Sequence, residues 1–205
     1  VTSSFNKYFN TREVISGKNL LLFEMANNII NNFIRWDITN LKKARYILID
    51  VENKIFVKQE INGNTIKFKG VIDRIDKNIS NGNIRIIDYK TGSVEPRELV
   101  VHSIDKLTTD PKFAKAFQVA YYAWLFSKQN TIEIIETGII STRNISNGFS
   151  PLVLKEFGDI RSYFNEFEES ICSIIDEISN QDIPIVQTTD NNRCIYCDYK
   201  SICNK

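Results

Sequence analysis

Apolar residues recur at helical spacing in three stretches of the chain and at strand spacing between them. Over 18–36, "KNLLLFEMANNIINNFIRW", Leu22, Ala26, Ile29, Ile30 and Phe33 fall on one helical face, with Gly17 just ahead of the run. From Tyr46 to Tyr89 the pattern changes to short alternating segments broken at "ENK", "NGN" and "NISNGN", which predicts three or four antiparallel strands. "EPRELVVHSIDKLTTD" reads as a mobile crossover with one helical turn. Residues 112–128, "KFAKAFQVAYYAWLFSK", predict a helix with an apolar stripe at Phe113, Phe117, Tyr121 and Trp124. "IEIIETGIIST" reads as a buried strand. Leu154 to Ser179 then form a long amphipathic helix through Phe157, Ile160, Phe164, Phe167, Ile171, Ile174 and Ile178. With no repeats and no linker, the pattern predicts one α/β domain over 1–205, with a cysteine-rich tail at 190–205.

Composition narrows this picture only a little. The 205 residues are 42% hydrophobic and 25% charged, an ordinary globular balance. A chain of that size buries roughly 70% of its unfolded surface. The formal net charge of +1 excludes a wholly basic nucleic-acid binder, yet leaves room for a local basic groove. No apolar run reaches the roughly 20 residues of a membrane span, and no signal-peptide pattern is present. The expectation is a cytoplasmic protein with no membrane partner. Runs such as "NNIINNF" and "NISNGN" read as compositional bias rather than function.

The chemistry concentrates around "IDYKTG", where an apolar strand turns to Asp88, Tyr89 and Lys90. Asp88 and Lys90 are two apart and share a face, while Tyr89 points to the other. The preceding strand, "FKGVIDRID", carries Asp73. If "ISNG" forms the turn, Asp73 lies opposite Asp88 and Asp76 opposite Arg85; an Asn81-Gly82 turn would set Asp73 opposite Lys90 instead. Either register keeps Asp73, Asp88 and Lys90 on one face with Val71, Ile75, Ile84 and Ile86. Directly opposed residues have Cβ atoms about 4.5–5.5 Å apart, where like charges repel. Facing carboxylates therefore call for a cation, and Mg²⁺ or Mn²⁺ suits hard oxygen ligands, to which the Tyr89 carbonyl could add. Lys90 could position a water and stabilise charge developing on a phosphate. The plainer reading is a hairpin whose polar ends pair, Asp88 with Lys90 and Asp76 with Arg85.

"GVID" (Gly70 to Asp73), then "IDYKTG", then "FQVAYY" on a following helix resemble the RecB/AddB-type branch of the PD-(D/E)xK nuclease superfamily. The resemblance implies a restriction-endonuclease-like core, a mixed central β-sheet flanked by helices. It implies that Asp73 and Asp88 hold the metal and that Lys90 is the catalytic base or positions water. It also implies that Gln118 and Tyr122, four apart and on one helical face, contact DNA or brace the site. Arg74, Arg97, Lys112 and Lys115 are candidate phosphate contacts. The implied activity is Mg²⁺-dependent, RecB-type exonuclease-like hydrolysis of DNA in recombination or repair, with a helicase-nuclease partner subunit as a further expectation.

Of the four cysteines, Cys194, Cys197 and Cys203 cluster near the end, a pattern that favours a metal or cluster over disulfides in a chain without a secretory signal. The triplet is similar to the C-terminal cysteines of AddB-like proteins, which with one upstream cysteine hold an iron–sulfur cluster. Zn²⁺ or a cubane wants four ligands, and Cys172, inside a helix beside Ile171, reads as a buried thiol.

The chain departs from the pattern in one respect. RecB-type sites add a histidine before the sheet, whereas the only histidine here is His102, after the motif. Glu24 or Glu60 could supply another oxygen. The opening "VTSSFNKYFN" suggests a fragment whose missing part carries the histidine and the fourth cysteine. Two other functions stay open: a nuclease-fold module that binds DNA or a partner without cutting, and a small metal or cluster protein.

Overall fold

The computed structural model describes residues 1–9, 17–130, 135–155, 160–184, 186–188, 190–195 and 197–203. Two helices, α1 (Thr2–Phe9) and α2 (Gly17–Ala44), precede a long antiparallel meander. Its strands are β1 (Tyr46–Ile61), β2 (Asn64–Asn78) and β3 (Ile84–Lys90). The sheet is mixed because the chain then leaves through β4 (Val100–Val101), α3 (Ile104–Thr109) and α4 (Ala114–Gln129) before returning. The returning strand, β5 (Ile135–Ser141), runs parallel to β3, as a crossover of this length permits. Then β6 (Phe149–Pro151) closes the order β1-β2-β3-β5-β6, β7 (Val153–Leu154) pairs with β4, and α5 (Ile160–Ser179) follows. This is an α/β restriction-endonuclease-like arrangement, a five-stranded mixed sheet flanked by helices.

The helices divide the two faces of the sheet. On one, α4 lies against β2, β3 and β5, and its Ala116, Val119, Ala120, Ala123 and Trp124 join Phe68, Ile72, Ile75 and Ile86 in the core. Small residues along this helix let it sit close to the strands. The hydroxyl of Thr137 on β5 donates to the Val119 carbonyl at 2.9 Å. Outside α4 lies α5, with Phe167 against Trp124 and Phe117. On the opposite face, α2 reaches the sheet through Phe33 and Asp37.

Several expectations need correction. "ENK" is not a turn: β1 runs on through it, with Glu52 at φ 52° and a register shift between Leu48 and Asp50 marking the irregularity. The crossover after β3 is packed, with Leu99, Val101, Ile104 and Leu107 buried, and Ser103 caps α3 by accepting from the Lys106 N–H. Leu154 lies in β7, and α5 starts at Ile160, while Phe157 falls outside the described residues. The helix expected over 18–36 forms within α2, but its apolar stripe is not buried: the helix has no buried residue, and Ile29 and Ile30 are exposed.

Candidate active site

Midway along β2 and at the end of β3, where the two strands stop pairing, their side chains carry the polar residues singled out from the sequence. Arg74 pairs with Ile87, Ile75 with Ile86 and Asp76 with Arg85. The turn is the one that sets Asp73 at the next rung with Asp88, and Gly82 closes it at φ 79°, in the left-handed region that favours glycine. Val71 does not share the core face as expected. It is exposed while Ile72 is fully buried, and Ile75, three further on, belongs to the same core as Ile72. The alternation of buried positions therefore changes phase at Asp73. The strand opposite is irregular at the same level, around Glu52.

Asp73 uses Oδ2 to accept the main-chain N–H of Tyr89 at 2.8 Å, so its carboxylate lies against β3 beside Asp88. Asp88 is 2% exposed. Burial raises its pKa, the Lys90 ammonium works against that rise, and the charge of Asp73 adds to it. Lys90 Nζ approaches Asp88 Oδ2 to 2.8 Å and donates to Gln118 Oε1 at 2.7 Å. The Lys90 ammonium is the one partner the structure gives to Asp88 Oδ2, an oxygen buried from solvent. A buried carboxylate oxygen with so few partners, next to a second carboxylate, fits a divalent cation bound by hard oxygens. Among the described residues no group of three or more His, Cys, Asp and Glu converges, so the protein carboxylates available there are these two.

From α4, Gln118 Nε2 donates to the Tyr122 hydroxyl at 3.0 Å. Tyr122, Gln118, Lys90 and Asp88 thus form a continuous polar chain from helix to strand. The glycine of "GVID" makes room for it: a Cβ on Gly70 would stand 3.0 Å from Tyr122 Cε1 and 3.1 Å from Leu125 Cδ1. At its far end β3 is tied to β5 by the Thr142 N–H, which donates to the Lys90 carbonyl at 2.9 Å.

The remaining candidates lie elsewhere. Glu60 pairs with Thr65 near the β1–β2 hairpin end and accepts from its hydroxyl, many residues along the strand from Asp73. Glu24 is exposed on α2. His102 is exposed between β4 and α3. Arg74 is no phosphate contact: it is 3% exposed and bound to Asp76 and Asp37. Arg97 pairs with Glu95 and Lys115 with Glu98, while Lys112 lies over the Phe113 ring. The plainer hairpin pairings, Asp88–Lys90 and Asp76–Arg85, both exist. Cys194, Cys197 and Cys203 are free thiols in consecutive turns. Three thiols do not complete the four-ligand set of a cubane cluster, and no step is assigned to one. Cys172 packs partly buried against the core, and burial raises its thiol pKa.

On the opposite side of the sheet lies a network of which only the Asp76–Arg85 pair was read in the sequence. Arg74 Nε donates to Asp76 at 2.7 Å, its Nη1 to Asp37 at 2.8 Å and to the Tyr89 hydroxyl at 2.9 Å, and Arg85 Nη2 donates to Asp76 at 2.7 Å. Desolvation alone would lower the Arg74 pKa, but hydrogen bonds to Asp76, Asp37 and Tyr89 outweigh it and raise it. The available signal was the two-residue spacing of Arg74 and Asp76, out of phase with Asp73.

A family model of the PD-(D/E)XK nuclease superfamily matches residues 15–204. The chain belongs to that superfamily. Its members are generally metal-dependent nucleases. No curated protein matches the chain by sequence. Among solved structures, one described as "Crystal structure of SSO0001" is 20% identical, with a TM-score of 0.38, over 83% of this chain and 66% of that one. This chain thus spans just under two thirds of that structure's length. No helix among the described residues is long and apolar enough to cross a membrane.

Proposed function

We propose that this domain is a metal-dependent deoxyribonuclease of the RecB/AddB type, acting on DNA phosphodiester bonds in recombination or repair. The observation that most supports it is the strand rim where Asp73 lies beside buried Asp88, with Lys90 between Asp88 and Gln118. Asp73 and Asp88 would hold Mg²⁺ or Mn²⁺, with the Tyr89 carbonyl as a further oxygen. The ion would supply Lewis acidity at the scissile phosphate and lower the pKa of water there.

The chain's own residues supply the rest. Lys90 places its ammonium at the rim, where it can position a water and stabilise charge developing on the phosphate. Gln118 accepts from the ammonium and so fixes its direction. Tyr122 in turn holds the amide of Gln118, so α4 orients the lysine from behind. Digestion of plasmid or single-stranded DNA with Mg²⁺ or Mn²⁺ tests the reading. Asp88→Ala should abolish cleavage and Lys90→Ala should slow it by about 100-fold or more. Cleavage surviving Asp88→Ala refutes the assignment.

One observation favours a second reading, a module that binds DNA or a partner subunit without cutting. Among the described residues only two carboxylates meet at the rim, with no third acid, histidine or cysteine beside them. DNA binding retained without any uptake of Mg²⁺ or Mn²⁺ would select it.

A further inference from the structure

The β2–β3 pairing runs to the rung of Arg74 and Ile87, one short of the acid pair. Beyond that rung two hydrogen bonds join the strands. One is the Tyr89 N–H to Asp73 Oδ2, at 2.8 Å; the other is Arg74 Nη1 to the Tyr89 hydroxyl, at 2.9 Å. Asp88 and Tyr89 leave β3 on opposite faces, as neighbouring residues on a strand must. The second bond therefore closes the rung from behind, while two like charges press it open from the front.

Everything the Tyr89 hydroxyl touches is itself fixed. Arg74 is 3% exposed and anchored through Nε to Asp76 and through Nη1 to Asp37 of α2. Asp76 is fully buried and also takes Arg85. The ring of Tyr89 meets Phe33 edge-on, with centroids 5.3 Å apart and planes at 85°. Asp37 and Asp76 already balance the charge of Arg74 and Arg85, so the hydroxyl is not needed for neutrality. What it adds is a tie between the residue that follows Asp73 and the residue that follows Asp88.

We propose that Tyr89 is a positioning residue: held through its hydroxyl by Arg74 and Asp37, it sets the spacing at which Asp73 and Asp88 take up a divalent cation. The inference rests on the nuclease reading above. It makes α2 part of the site although the helix contributes no ligand, because Asp37 and Phe33 hold the tyrosine from behind. The positioning role belongs to the hydroxyl, apart from any contact of the Tyr89 carbonyl with the ion, and side-chain groups that orient a metal's ligands without touching it typically carry 10–100-fold of affinity or rate.

The test is Tyr89→Phe, which keeps the ring and its contact with Phe33 and deletes one oxygen. Mn²⁺ affinity is measured by calorimetry on the DNA-free protein, kcat and KM on a DNA substrate, and the unfolding midpoint alongside, with Asp88→Ala as a control. The expected result is Mn²⁺ binding and kcat each weakened by about tenfold, with KM for DNA unchanged. Wild-type Mn²⁺ affinity in Tyr89→Phe would overturn the inference, whether the midpoint falls or KM alone rises. Should Asp88→Ala keep its activity, the nuclease reading itself fails. Loss in Asp88→Ala together with wild-type behaviour of Tyr89→Phe sinks only the inference.

Discussion

With 2% of its surface exposed, the carboxylate of Asp88 has lost most of its hydration, and Asp73 adds a second negative charge beside it. Lys90 offsets part of that cost, but the direction of the balance is a raised pKa. An acid whose pKa is raised by folding lends stability below the ordinary carboxylate range and loses it as pH rises through the raised value. In metal-free buffer at neutral pH, Asp88→Asn should therefore unfold at a higher temperature than wild type. The gap should close as pH falls below the carboxylate range. Thermal scans across pH in chelator check this, and a less stable asparagine variant at neutral pH would contradict it. A second prediction concerns Gly70, where an added Cβ meets the Tyr122 ring and Leu125. Gly70→Ala should cost about 1–3 kcal/mol in denaturant unfolding, the usual scale of overpacking, and should displace the Gln118–Tyr122 pair enough to lower cleavage.

Between elements, Glu168 on α5 is a polar staple outside the site. It accepts from Gln59 of β1 and from Trp124 Nε1 of α4, and it pairs with Lys128. Burial alone would raise the Glu168 pKa, but the hydrogen bonds from Lys128, Trp124 and Gln59 outweigh it and lower it. Its contribution is thus present above the ordinary glutamate range and lost as pH falls through the lowered value. Glu168→Ala leaves the indole N–H of a fully buried tryptophan without its acceptor and should cost about 1–3 kcal/mol at pH 7, read from urea unfolding. How far the elements could be read in advance depended on how local their determinants are. The turn before β3 was legible because Gly82 and the flanking alternation mark a hairpin within a few residues, but two registers stayed open until the pairing of Arg74 with Ile87 set Asp73 level with Asp88 rather than Lys90. The length of β1 was not, since "ENK" looks like a turn and only pairing with β2 carries the strand through it. Nor was the exposure of α2: helical spacing reports that a face is apolar, not what covers it. Leu21, Met25, Ile34 and Ile38 all remain exposed.

At the level of the whole molecule, three layers converge on one strand end. The α4 layer reaches Lys90 through Gln118, the sheet brings Asp73 to Asp88, and α2 reaches Tyr89 through Arg74. The front of this arrangement was legible because its residues form short motifs at fixed spacing. The back was not, because Asp37 lies on a helix far upstream and its partner Arg74 reads from sequence as a surface charge. The central claim is that Asp73 and Asp88 together bind one divalent cation, and direct titration of Mn²⁺ into the metal-free protein tests it. One Mn²⁺ should bind to the wild type, and that binding should be lost in both Asp73→Ala and Asp88→Ala. Undiminished uptake by either variant would contradict the account.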